Sequence, residues 1–134
     1  MKILAKFVYA GFGVLALFLG LLALFWPAAA LPPDSRSAVA LHLVQEQGAQ
    51  SVFMGLMAFW CLTHFAGRRP VHIALLLFGF LFAAIHWFEY LQGHRHLLSP
   101  ILNSIPFVLF VITAPWSSFK SESFVKEGQH ISEA

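Results

Sequence analysis

The sequence predicts an all-α fold, an integral membrane four-helix bundle with both termini cytoplasmic. Three observations predict it. Of 134 residues, 59% are hydrophobic and only 10% charged, with 15 Phe, which is more apolar surface than a soluble fold of this length can hide. The apolar content falls into long runs near 7–26, 39–65, 71–91 and 97–114, each approaching the roughly 20 residues that a spanning helix requires. Strand-like alternation is missing, and in hydrocarbon an open strand edge would leave backbone groups unpaired, whereas a helix satisfies its own. A single transmembrane domain over 1–134 is expected, with 117–134 as a polar cytoplasmic tail.

The first run follows Lys2 and Lys6 and ends in Trp26, Pro27 and three alanines, the outline of a signal peptide with its cleavage site. Its length exceeds the roughly 7–15 apolar residues of a signal-peptide core, which favours a retained anchor. After it, 27–37 carries Pro32, Pro33 and Asp34 and reads as a short loop, with Asp34 or Ser35 as the expected cap of the second helix. That helix starts polar, with His42, Gln45, Glu46, Gln47 and Gln50, so its beginning is expected at the interface or against protein. Its later part is ordinary lipid-facing sequence. A tight polar turn, Gly67 to Pro70, separates the second run from the third.

Lys and Arg placement sets orientation, because loops rich in them stay cytoplasmic. Lys2, Lys6, Arg68, Arg69, Lys120 and Lys126 fall on one side of a four-span chain and Arg36 and Arg95 on the other. Trp26, Trp87 and Tyr90 then lie near the outer boundary and Tyr9, Trp60 and Trp116 near the inner one, as amphipathic rings at headgroup level do. The topology accounts for the net charge of +2, so no nucleic-acid partner is implied. The single Cys61 excludes an intrachain disulfide framework, a CxxC redox pair and a Cys-rich zinc site. Small residues recur at helix-packing spacing, Gly13 with Gly20, Ser51 with Gly55 and Gly79 with Ala83. They are expected to serve packing within the chain first and an oligomer interface second.

Ionisable residues inside apolar runs are costly, about 2.5 kcal/mol or more on insertion scales, and demand partners. His42, Glu46 and Gln50 form a four-residue stripe on the second helix, and His86 and Glu89 share a face of the third. At about 1.5 Å per residue, Glu46 and His86 each lie roughly 9 Å in from the outer ends of their helices, and Asn103 and Ser104 lie roughly 8 Å in on the fourth. Polar groups from three helices are thus expected to converge in the outer half, beneath a loop carrying His94, Arg95 and His96. His64 and His72 flank the cytoplasmic turn and read as interfacial.

Three uses of the outer cluster stay open. A Glu46 to His86 pair would fix bundle register. A pocket lined by His42, Glu46, Gln50, His86, Glu89, Tyr90 and Asn103, with Trp87, would take a lipid, sterol-like or quinone-like molecule. Its catalytic variant uses Glu46 or Glu89 as acid or base with His86. A metal site on His42, Glu46, His86 and Glu89 lacks the paired Glu-x-x-His pattern of carboxylate bundles, so no metal and no cofactor are expected. The expected partners are membrane lipids or a lipid-like molecule, a membrane protein, or a second copy of the chain. An oligomeric channel or transporter subunit is a further alternative.

The FWPAAALPP break after the first span, with the span count and loop placement, resembles the small four-helix bacterial membrane families grouped around DoxX. That likeness spans nearly the whole chain and implies a four-helix bundle in the inner membrane. HWFEY at 86–90 is also similar to the His-Phe and Glu-Trp pattern closing the third helix of the four-span scaffold of sterol C4-demethylation. The spacing differs by one residue, and Gln45 stands three before Gly48 where that family has Arg. This likeness implies a tether for membrane enzymes.

Overall fold

Proline and glycine punctuate the chain where its helices stop. In the computed structural model, which describes residues 2–93 and 96–114, α1 runs Lys2–Phe25, α2 Ala38–Thr63, α3 Arg69–Leu91 and α4 Leu98–Thr113. No strand occurs among the described residues. The predicted tail, with Trp116, Lys120 and Lys126, and the loop residues His94 and Arg95 lie outside the described residues.

Pro27 follows α1 and opens a short 3-10 turn, Pro27–Ala30, succeeded by another at Pro33–Ser35. Asp34 and Ser35 are used up in that second turn. The cap of α2 is instead Ser37, whose Oγ accepts a hydrogen bond from the Ala40 amide at 3.1 Å, satisfying one of the orphan donors of a helix start. After a 3-10 turn at Phe65–Gly67, α3 begins at Arg69 with Pro70 in its first turn, where a missing amide proton costs nothing. Beyond α3, Gly93 adopts φ +76° and its amide donates to the Tyr90 carbonyl at 2.9 Å. Glycine suits that left-handed position because it has no Cβ to clash.

The helices pair as two hairpins, α1 with α2 and α3 with α4, and the two hairpins meet each other much less closely. The α1–α2 seam is built from glycine. A Cβ on Gly20 would lie 2.8 Å from the Gly48 carbonyl oxygen, one on Gly48 2.7 Å from the Leu24 amide nitrogen, and one on Gly55 3.0 Å from the Gly13 carbonyl oxygen. Gly13 and Gly20 thus oppose Gly55 and Gly48, the backbone-to-backbone approach that small residues permit. The expected packing role of Gly13, Gly20 and Gly55 is met within the chain, with Gly48 as the member the spacing argument left out. In the second hairpin, Gly79 faces the Phe107 backbone, 3.3 Å from an added Cβ. The Trp87 indole donates to Ser104 Oγ at 3.0 Å, and that hydroxyl donates to the Pro100 carbonyl at 2.7 Å.

The core is small and sits toward the α2–α3 turn, around Ala5, Tyr9, Ala58, Cys61, Leu75 and Phe110. Most large apolar side chains point outward instead, among them Phe18 at 65% exposure and Phe88 at 62%. Two helices, α1 and α3, are long and apolar enough to cross a membrane. α4 is apolar but shorter, 16 residues, and the polar first half of α2 keeps it out of that class.

Candidate functional site: a groove between α2 and α3

The two ends of the bundle differ in how their polar groups are spent. At the end carrying the α2–α3 turn, His72 is buried at 1% exposure, not interfacial as the turn sequence suggests. Starting α3 at Arg69 sets His72 at the close of the first helical turn, facing α1 and α4. Its Nε2 lies 3.0 Å from the Phe110 carbonyl, which can only accept, so Nε2 carries the proton. With the imidazole neutral, Nδ1 accepts from the Tyr9 hydroxyl. The Tyr9, His72 and Phe110 rings also pack edge-on or tilted at 5.8–6.1 Å. Buried Cys61 and the Arg68 guanidinium stand beside the Tyr9 hydroxyl, and Arg68 stacks over Phe65 at 3.8 Å while donating to its carbonyl. All four helices contribute to this knot.

At the opposite end the helices do not interlock. Glu46 contacts His42 at 3.2 Å, both side chains more than half exposed, and His86 contacts Glu89 at 3.4 Å. Both pairs are intrahelical, at i,i+4 and i,i+3, so the Glu46 to His86 register pair is not formed. Two hairpins that meet loosely leave α2 and α3 too far apart at this end for that contact, and each residue takes its nearest neighbour on the same helix.

Between α2 and α3 the separation opens a groove of about 420 Å³. α2 lines it with Gln47, Gln50 and Ser51; α3 supplies His86 and Glu89 above an apolar floor of Phe78, Phe82 and Ile85. Phe82 lies edge-on to His86, centroids 4.8 Å apart, and stacks on Phe78 at 5.9 Å. Three of the residues expected in a pocket, Gln50, His86 and Glu89, therefore come together. Glu46 lines a shallow neighbouring depression with Gln47 and Gln50. His42 is on the exposed face of α2, and Tyr90 packs against Trp87 at 5.9 Å; neither lines the groove. Asn103 donates to the Ser99 carbonyl at 2.8 Å and borders a separate, mostly apolar pocket of about 240 Å³ instead.

Gln47 and Ser51 are the groove residues that the stripe of His42, Glu46 and Gln50 passed over. The spacing of Gln47, Gln50 and Ser51, three and four apart, marks one helix face, and that face is the one turned toward α3. Among the described residues no three His, Cys, Asp or Glu side chains gather as metal ligands. Compared with protein-family models, curated proteins and solved structures, the chain matches none.

Proposed function

We propose that this chain is a four-span membrane bundle, related in architecture to the families grouped around DoxX, that holds a lipid-like molecule in the α2–α3 groove. The outward-facing apolar surface supports placement in a bilayer, since a soluble chain rarely exposes contiguous apolar patches beyond a few hundred Å². The glycine seam supports a multi-pass path. Gly48 and Gly55 lie against Gly20 and Gly13, so α2 shares the depth of the middle of α1, which favours its entering the membrane with α1. α4, about 24 Å long at 1.5 Å per residue, is shorter than the roughly 30 Å hydrocarbon core, a mismatch that bilayers accommodate by local thinning. The Lys and Arg distribution supports a cytoplasmic α2–α3 turn in a bacterial cell, with the groove in the outer half of the inner membrane.

The observation that carries a binding role is the lining of the groove. Polar Gln47, Gln50, His86 and Glu89 stand over aromatic and aliphatic side chains, the combination of apolar walls and few polar groups that orients a small ligand. Mass spectrometry of lipids carried by the gently purified chain is expected to find one amphiphile at close to one per chain. Ile85→Trp, which fills the groove, should lose it while circular dichroism stays helical, and Glu46→Gln should keep it. Bulk bilayer lipids alone, in the same proportions from all three chains, would contradict the reading.

A further inference from the structure

Charge is divided between the two ends of the bundle. The acidic side chains among the described residues, Asp34, Glu46 and Glu89, all lie toward the loop end, whereas Lys2, Lys6, Arg68 and Arg69 gather at the turn end. Arg68 is half-buried there. Its guanidinium donates to the Phe65 carbonyl, stacks over the Phe65 ring and stands beside the Tyr9 hydroxyl. Its Nε is enclosed without a hydrogen-bond partner, and among the described residues no carboxylate pairs with it. A guanidinium partly withdrawn from water is costly unless an anion offsets its charge.

A second cation is drawn to the same place. Lys6 Nζ, from α1, lies 5.4 Å from the centroid of the Phe65 ring, and the Arg68 guanidinium carbon lies 3.8 Å from it. The ring attracts each cation but leaves their mutual repulsion standing, which an anion seated beside them would offset. α3 starts at this spot with no acidic residue in its first turn and no side-chain cap, so the positive end of its dipole adds to the field. Ile3, Leu4 and Phe7, beside Lys2 and Lys6 on α1, face outward. A soluble anion gains nothing from such apolar neighbours, whereas the chains of a lipid lie along them.

Resting on the membrane placement proposed above but not on the occupied groove, we infer that Arg68 and Lys6 form a site for the phosphate of an anionic phospholipid in the cytoplasmic leaflet. Anionic headgroups attract basic residues beside a span, and a guanidinium presents a planar fork of N–H donors to phosphate oxygens. Lys6 supplies the second charge. Because Arg68 stands beside Tyr9, the bound lipid braces the knot of Tyr9, His72 and Phe110, and a ligand of the folded chain alone stabilises it.

Native mass spectrometry of the full chain, released from nanodiscs of equal dioleoylphosphatidylglycerol and dioleoylphosphatidylcholine, tests this, since the two lipids share their tails and differ in net head charge. Phosphatidylglycerol is expected to be enriched roughly fivefold or more among the retained lipids. Arg68→Gln should abolish the enrichment, and Lys6→Gln, at an exposed side chain that folding does not need, should reduce it severalfold and carries the test if Arg68→Gln misfolds. Arg36→Gln, at the loop end where that side chain donates to the Leu31 carbonyl, should leave it unchanged, as should Ile85→Trp in the groove. Phosphatidylglycerol should also raise the thermal unfolding midpoint over phosphatidylcholine alone, and glycerol phosphate in solution should not. No enrichment, or one reduced as much by Arg36→Gln as by Lys6→Gln, would overturn the inference and leave the groove reading intact. Equal stabilisation by glycerol phosphate would overturn the lipid as its source. A chain that does not enter nanodiscs at all would take the membrane placement down with it.

Discussion

The turn end and the loop end of this bundle both carry histidine, yet they use it in opposite ways. At the turn end, His72 joins Tyr9 on α1 to the Phe110 backbone on α4, so three helices are fastened through one imidazole. At the loop end, His42 and His86 each turn to a glutamate on their own helix, and α2 and α3 are left free to part. A polar side chain that bridges helices fixes their spacing, whereas one satisfied within its helix leaves the spacing to apolar packing. The same residue types thus build a closed end and an open one.

The seam that holds α2 in place is the most sensitive part of the bundle. Gly48→Leu is expected to be the most damaging single change, because its Cβ would meet the α1 backbone, Leu24 nitrogen and the Gly20 carbonyl oxygen, and backbone cannot rotate away. Overpacking of this kind costs about 1–3 kcal/mol and occasionally more; titration with a denaturing detergent should show the loss, and unchanged stability would remove the seam from the account. His72→Ala comes next, since it strands the Tyr9 hydroxyl and the Phe110 carbonyl, at about 1–3 kcal/mol for a buried group left without a partner. Tyr9→Phe should cost less, about 0.6–1.7 kcal/mol as for hydrogen bonds between membrane helices. If His72→Ala proved as mild as a substitution of exposed His42, the turn end would not be the fastened one.

The four helices are legible because the apolar runs are long and unbroken, and Pro27 and Gly93 punctuate them where local conformation demands. The cap of α2 was harder, since Asp34, Ser35 and Ser37 are all competent caps and only the geometry of the Pro33–Ser35 turn removes the first two. His72 reads as interfacial because it lies beside Arg68 and Arg69, and the structure buries it. Pro70 in the first turn was the available signal that the helix starts early enough to carry His72 inside, but its partnership with Tyr9, 63 residues away, has no local trace. On α2 the four-residue rhythm of His42, Glu46 and Gln50 correctly marks a face in part. Helix rotation decides whether that stripe or the adjoining Gln47, Gln50 and Ser51 turns inward, and rotation is set here by the glycines at 48 and 55, through contacts with α1 that periodicity alone does not specify.

The central claim, an open and occupied groove at one end against a fastened knot at the other, is tested most directly by photolabelling. Monooleoylglycerol with a diazirine beside its headgroup, reconstituted with the full chain and crosslinked, is expected to mark Gln50, Ile85 and His86, and an excess of unlabelled monooleoylglycerol should compete that labelling away. Labelling at Phe18 and Phe88, which face outward, should resist competition, and Tyr9 and His72 should stay unmarked. Labelling of the groove that resists competition as strongly as Phe18 does, or marks on the Tyr9 and His72 pair, would contradict the account.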